Sequence, residues 1–310
     1  MPNLKDIKSR IASVENTKKI TRAMKMVAAA KVKKAENSVK SARPFSDELI
    51  KIFKRFLKSI NSYSSDGLNF KVALENYPEL LKGREVKTVG LLVITSNKGL
   101  AGAYNANVIR NVLKQIKENK QNGLSSKLFI VGQKGISSLK RKAAELDAET
   151  IKTYTQVANE ISAVGAEDIA HDLAESFVSG QIDKIEVFTT KFKNMMSYSA
   201  QKWDLLPITL EETAEDSATG TEIEPLMLFE PSEQSILQKI VPLYLTNTIY
   251  QALLEAQASE LASRMTAMSS ASNNAEEMIR TLTIDYNKAR QWAITQEILE
   301  VVSGADALKG

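Results

Sequence analysis

Residues 5–43 read KDIKSRIASVENTKKITRAMKMVAAAKVKKAENSVKSAR, a stretch without glycine or proline. Turns draw on these two residues, so the stretch lacks the punctuation of a globular chain. Leu243–Ser303 contains neither residue either, and none of the thirteen glycines falls in residues 1–66 or 221–303. Helices over residues 3–58 and 232–303 would be about 84 Å and about 108 Å long at 1.5 Å per residue. A compact chain of 310 residues is only roughly 50 Å across. Helices of that length project from any globule, which argues against a simple globular enzyme.

Both stretches carry an apolar seam in alternating steps of three and four. In the first it runs Leu4, Ile7, Ile11, Val14, Lys18, Thr21, Lys25, Ala28, Val32, Ala35, Val39, Ala42. Where Lys18, Thr21 and Lys25 interrupt it, Ile20, Met24 and Val27 supply a stripe displaced by one residue, which reads as a local stutter. Pro44 is expected to kink the helix or end its first section. The second seam runs Leu261, Met265, Met268, Ser272, Ala275, Ile279, Leu282, Tyr286, Ala289, Ala293, Gln296. A period of 3.5 winds helices around each other. The expected pairing is an antiparallel coiled coil of the two ends of the chain, ahead of two separate amphipathic helices.

Between them the pattern changes. Val86–Thr95 reads as a buried strand, followed by a turn and a helix near 103–119. Lys127–Val131 is a second strand, followed by a helix after Gly132–Gly135. Thr150–Thr155 is a short third strand, Ile161–Ser179 a helix, and Lys184–Thr190 with Ser197–Pro207 a hairpin turning at Lys193–Asn194. Strands alternating with helices imply a Rossmann-like α/β domain with a largely parallel sheet. The fold class is therefore α/β: a long antiparallel coiled coil plus this domain. The expected segments are helix 1–59, base domain 85–209, acidic loop or hairpin 210–231, and helix 232–303. Residues 211–230 hold seven acidic residues and no Lys or Arg, the composition of a solvated segment.

The chemistry is sparse. With no cysteine there is no disulfide, thiolate or Cys-based zinc site. No apolar run reaches membrane-spanning length, and the N-terminus lacks a signal-peptide core. Gly99–Gly102 and Gly132–Gly135 each follow a strand and precede a helix, where α/β folds bind phosphate. They lack a full nucleotide fingerprint, and tight turns account for both. His171, the sole histidine, cannot build a His-rich metal site. No nucleophile, base and orienting residue come together, so no cofactor and no catalytic residue are expected.

Charge is uneven. Residues 1–58 carry sixteen Lys/Arg against five Asp/Glu, a balance of +11, and residues 232–303 carry five against eight, a balance of −3. A basic helix suits nucleic acid, anionic lipid or an acidic protein surface. Residues 1–44 contain no aromatic residue for base stacking. A coiled-coil nucleic-acid-binding protein is nevertheless the alternative reading, and a nucleotide-binding Rossmann-like enzyme a third.

The run Ile11–Ala29 closely resembles the gamma subunit of F-type ATP synthases. So does Ile294–Ala307, which fits that family's pattern [IV]-T-x-E-x-x-[DE]-x-x-x-G-A. Arg264–Met268, Tyr286–Gln291 and Ser96–Asn107, with Ala101 where a Cys often stands, are further family-like blocks. The resemblance spans the chain and implies a non-catalytic rotor shaft. It implies three alpha and three beta subunits, an epsilon subunit and a membrane c-ring as partners, with one copy per complex. The implied place is peripheral, on the cytoplasmic face of a bacterial inner membrane. Carried onto matching positions, Arg22, Met24, Lys25, Arg264, Gln296 and Glu297 are expected to contact alpha and beta. Gly99, Gly102, Trp203 and Asp204 are expected at the rotor base, toward epsilon and the c-ring. Leu261 stands where many relatives have Gln, which removes one expected polar contact to beta.

Overall fold

The structure, a computed structural model, describes residues 4–63, 80, 83–208 and 233–307. Its elements in chain order are α1 (Leu4–Tyr63), β1 (Thr88–Ile94), α2 (Tyr104–Gln121), β2 (Ser125–Val131) and α3 (Gln133–Ala144). There follow β3 (Glu149–Tyr154), α4 (Ala163–Val178), β4 (Lys184–Asn194), β5 (Ser197–Leu206) and α5 (Glu233–Ala307). The acidic stretch 211–230 lies outside the described residues. The chain divides into two units, Val32–Ser263 and Met1–Lys31 with Arg264–Gly310.

In the larger unit a five-stranded sheet has the order β3-β2-β1-β4-β5. β1 to β4 are parallel, and β5 returns antiparallel along β4. β1 is the run TVGLLVI, buried from its second residue onward, as a strand covered on both faces must be. Its side chains alternate between two cores. Val89, Leu91 and Val93 meet Val108, Val112 and Ile116 of α2 and Leu139 of α3. Leu92 and Ile94 face Ile169, Leu173 and Phe177 of α4, together with Val241, Leu245 and Leu253 of α5 and Phe53 of α1. Full burial of each such aliphatic side chain contributes about 1.5–3 kcal/mol. The edge strand β3 is largely exposed.

Local signals set the ends of these elements. Ser162 caps α4 by accepting the Gly165 N–H at its hydroxyl, 3.1 Å, which satisfies one orphan donor. The hairpin turns at Met195–Met196 rather than Lys193–Asn194. Asn194 Oδ1 accepts the N–H groups of Met196 (2.9 Å) and Ser197 (2.8 Å), an Asx turn that carries β4 to Asn194.

Pro44 neither ends nor divides α1, which runs through it. Proline removes the bond to the Lys40 carbonyl, but tertiary contacts hold the flanking turns. Val39, Ser46, Leu49 and Phe53 are all buried. Ser46 is bonded to Asn247 of α5 at 3.0–3.3 Å, and Phe53 stacks on Tyr244 with ring centroids 4.7 Å apart. Packing outweighs local propensity here.

In the smaller unit the two helices run antiparallel along a seam. Ile7, Ala28, Met268 and Ala275 are buried. Ile11, Val14, Lys18, Thr21 and Met24 on α1, and Leu282, Tyr286, Ala289 and Ala293 on α5, are half-buried. The expected displaced stripe is realised only at Met24, which is half-buried where the seam position Lys25 is exposed. Ile20 is 60% and Val27 57% exposed, while Lys18 stays on the seam and pairs with Glu276 at 3.3 Å. The seam steps from Thr21 to Met24 and then to Ala28, passing over Lys25. A long lysine tolerates this position because its stem packs while its ammonium reaches the opposing carboxylate.

Candidate functional site

The turn at Gly132–Gly135 is filled by packing and leaves no cradle for a ligand. Gly132 has φ +93°, and a Cβ there would lie 2.3 Å from the Thr95 carbonyl oxygen. The N-terminal amides of α3, which would cradle a phosphate, are engaged within the chain. Gln133 N–H donates to Asn97 Oδ1 (2.8 Å), Gly135 N–H to Thr95 Oγ1 (2.9 Å), and Lys134 N–H to the Ser96 carbonyl (3.0 Å). Asn97 Nδ2 also donates to the Thr155 carbonyl at 2.8 Å, so one side chain ties the loops after β1, β2 and β3 together.

Strand order reverses between β1 and β4, the crevice where open α/β sheets bind ligands. Here α5 occupies it. Ser263 Oγ donates to the Ala101 carbonyl (2.6 Å) and Ser259 Oγ to the Thr190 carbonyl (3.4 Å). His171 lies near Asp172 and Glu175 on α4. Asp172, however, already accepts from Lys152 Nζ and the Tyr154 hydroxyl, each at 2.7 Å. Burial, and then the Asp172 carboxylate, raise the Tyr154 phenol above its ordinary range. Lys152 thus neutralises the Asp172 carboxylate.

What the chain offers outward is helix surface. Arg22 and Lys25 are exposed and Met24 is half-buried on the seam side. Beside them stand Ile20, Met26 and Val27, apolar and open to solvent, among Lys19, Lys31, Lys33 and Lys34. The seam pattern assigned Ile20 and Val27 to the interior, because periodicity alone does not say which neighbour an apolar residue faces. Arg264 is half-buried. Gln296 and Glu297 are exposed, and so are Ile294, Ile298, Leu299, Val301 and Val302 around them. In this last segment the helix shows these apolar side chains to solvent over one broad face, an arrangement that calls for a partner.

The four residues expected at the rotor base do not form one patch. Gly99 and Gly102 lie in the loop beyond the carboxyl end of β1, next to Leu100, which takes φ +60° and is 63% exposed. Trp203 pairs with Val187 and Asp204 with Glu186 halfway along β5. Trp203 packs against the core, and Asp204 pairs with Lys184 at 3.0 Å. Burial works against that ammonium, yet Asp204 and Glu186 hold its pKa above the ordinary lysine value.

Comparison with known proteins gives one consistent picture. The family model described as ATP synthase matches residues 3–308. An ATP synthase gamma chain of Picosynechococcus sp. is 44% identical over 330 aligned residues, covering 99% of this chain and 100% of the relative. One from Gloeothece citriformis is 43% identical with the same coverage. Among solved structures, a central stalk chain of the Tetrahymena thermophila mitochondrial ATP synthase superposes with a TM-score of 0.54 at 27% identity. It covers 82% of this chain and 99% of that one. A rotor chain of the Euglena gracilis mitochondrial ATP synthase shares the fold, with a TM-score of 0.57 at 16% identity.

Proposed function

The chain belongs to the ATP synthase gamma-chain family, and from that premise we propose that it is the non-catalytic rotor shaft at the centre of the complex. It couples ion-driven rotation of the c-ring to conformational change at the catalytic sites of the alpha/beta hexamer. The observation that carries this reading is the exposed apolar segment Ile294–Val302 at the end of a 75-residue helix. An isolated chain gains nothing from that surface, whereas a shaft turning inside a ring of subunits needs it.

The mechanism follows from asymmetry. One shaft faces three beta subunits that are chemically the same, and its contacts with each differ with rotation angle. A partner shifts an equilibrium only by its differential affinity for the two states. Couplings of about 1–3 kcal/mol change a site's affinity roughly 5–150-fold. Arg22 and Lys25, with exposed Ile20 and Met26 beside them, form a basic and apolar face suited to an acidic, amphipathic segment of beta. Arg264 serves a second contact to beta. Gln296 and Glu297 lie in the part of the shaft that meets the upper bearing of alpha and beta. Gly99 and Gly102, and separately Trp203 and Asp204, are assigned to the base that meets epsilon and the c-ring. No catalytic residue is required of the chain itself, and α5 filling the switch-point crevice supports that assignment. No helix among the described residues is long and apolar enough to cross a membrane. We place the chain peripherally, on the cytoplasmic face of a bacterial inner membrane through the c-ring. The nucleic-acid reading finds no support among the relatives described above.

Mixing the purified chain with alpha and beta should give a complex with one copy per hexamer. The chain alone should hydrolyse no ATP. Three copies per hexamer, none, or intrinsic hydrolysis would overturn the proposal.

A further inference from the structure

A shaft that carries torque must not turn within its own base, and the contacts that prevent this are visible inside the larger unit. Resting on the rotor reading, we propose that the far end of the β4–β5 hairpin is the joint by which the α/β domain grips both long helices against torque, with Arg43, Tyr198 and Ser263 as its positioning residues.

β4 pairs with β1 only as far as Phe188, while its pairing with β5 continues to Asn194 and Ser197. The end of the hairpin therefore overhangs the parallel sheet as a two-stranded ribbon. Such a ribbon has little stability of its own in water, and here it is held by the helices. Phe192, 3% exposed, packs among Val32, Ala35 and Val39 of α1 and Leu254, Ala258 and Ala262 of α5. The small residues let the ring sit close to both helix backbones.

Apolar contact is non-directional and resists separation better than sliding. Hydrogen bonds are directional and resist shear. They are spread over both helices. Arg43 Nη2 donates to the Phe192 carbonyl (2.9 Å) and to Glu255 Oε1 (3.0 Å), joining α1, β4 and α5 through one guanidinium. The Tyr198 hydroxyl donates to Ser263 Oγ at 2.8 Å, and Ser263 Oγ donates to the Ala101 carbonyl at 2.6 Å. Ser259 Oγ reaches the Thr190 carbonyl (3.4 Å) and Thr189 Oγ1 the Ala252 carbonyl (3.5 Å). The ties on α5 extend from Ala252 to Ser263, about 16 Å along its axis. They hold the helix at several points, so that it can neither slide nor roll on the sheet.

The test uses the complete synthase reconstituted in liposomes and the double variant Arg43→Met with Tyr198→Phe. Both changes keep apolar bulk and remove only polar ends. They delete two of the five ties between the domain and the helices, together with the Arg43–Glu255 bond between the helices, so with ties acting as parallel springs the torsional stiffness of the joint should fall by about two-fifths. Stiffness is read from a bead on the α/β domain with the hexamer immobilised. One copy per hexamer and hydrolysis without an opposing gradient should be retained, while ion pumping should stall at a smaller opposing gradient. Stiffness and stall gradient equal to those of the parent complex overturn the joint. Asp183→Asn weakens the same domain away from the helices and should leave stiffness unchanged. An equal loss of stiffness in that variant would mean that domain stability alone is responsible, and would also overturn the joint. If the double variant does not fold, Tyr198→Phe alone is read by the same criteria. Failure of the unaltered chain to join the hexamer counts against the rotor reading itself and is told apart in this way.

Discussion

Replacing Asp183 should unfasten the start of the α/β domain, and by a calculable amount. Asp183 Oδ2 accepts the N–H groups of Lys87 and Thr88, both at 2.9 Å, just where β1 begins. Its Oδ1 lies 2.7 Å from Arg84 Nε. Arg84 in turn donates to the carbonyls of Phe177 and Ile182, and its guanidinium stands 4.7 Å from the centre of the Phe177 ring. Hydrogen bonds to charged groups contribute about 1.5–3 kcal/mol each. Asp183→Ala removes three, but Lys87 and Arg84 are exposed enough for water to replace part of the loss, so the expected cost is about 3 kcal/mol. Asp183→Asn keeps an acceptor for the strand and loses the charge, costing about 1–2 kcal/mol. Burial favours the neutral acid, yet the two backbone donors and Arg84 hold the carboxyl below its ordinary value of 3.8. A depressed carboxyl pKa adds stability that is complete above the unfolded value and is lost as pH falls through the folded one. The gap between parent and Asp183→Asn should therefore be constant from pH 5 to 8, and should narrow below about pH 4. Urea unfolding of the full chain, followed by Trp203 fluorescence, measures it. Trp203 is packed on the core, and exposed Trp292 is replaced by Phe in every variant to keep the signal local. Coincident curves at pH 7, or a gap that persists unchanged at pH 3, would refute the reasoning.

Gly132→Ala should destabilise the chain by more than about 3 kcal/mol, since left-handed strain of about 1–2 kcal/mol adds to a clash with the Thr95 backbone. Gly180→Ala, at φ +76° with nothing within 4 Å, should lose only the strain. Paired thermal melts check the difference. Phe53→Ala should cost about 3–5 kcal/mol, because the ring is 1% exposed and stacked on Tyr244; urea midpoints will show it. Ile298→Asp should leave the chain's own melt within about 0.5 kcal/mol and sharply reduce recovery of its complex with alpha and beta on a sizing column.

The two long helices were legible from what their sequences omit, because a missing glycine or proline is a local property. The order of strands was legible for a similar reason: VKTVGLLVIT cannot lie on a surface. What stayed hidden depends on partners far along the chain. Arg43 reads as one more cation on a basic helix, yet its partners are 149 and 212 residues away. Glycines at 132 and 135 resemble half a phosphate loop, and only the nearness of Thr95 shows that the turn is filled. Of the kink or end expected at Pro44, the end does not occur, because propensity is local while the packing that overrides it is not.

The misread stretch from Lys18 to Val27 is the most informative. Apolar periodicity counts a side chain as interior whether it faces a helix of its own chain or another subunit. Here the two demands separate by face. Lys18, Thr21 and Met24 lie toward α5, with Glu276 neutralising the lysine, while Ile20, Met26 and Val27 lie outward. A helix paired only with its own chain would gain by exchanging these faces, burying isoleucine and valine and exposing lysine. That it keeps a charged residue on the seam, and apolar ones off it, sets its composition by two partners at once. The Ala-containing seam then has a physical reason. Burial is divided between the coil and whatever surrounds it, so neither contact alone carries the stability that the sequence could have placed in one.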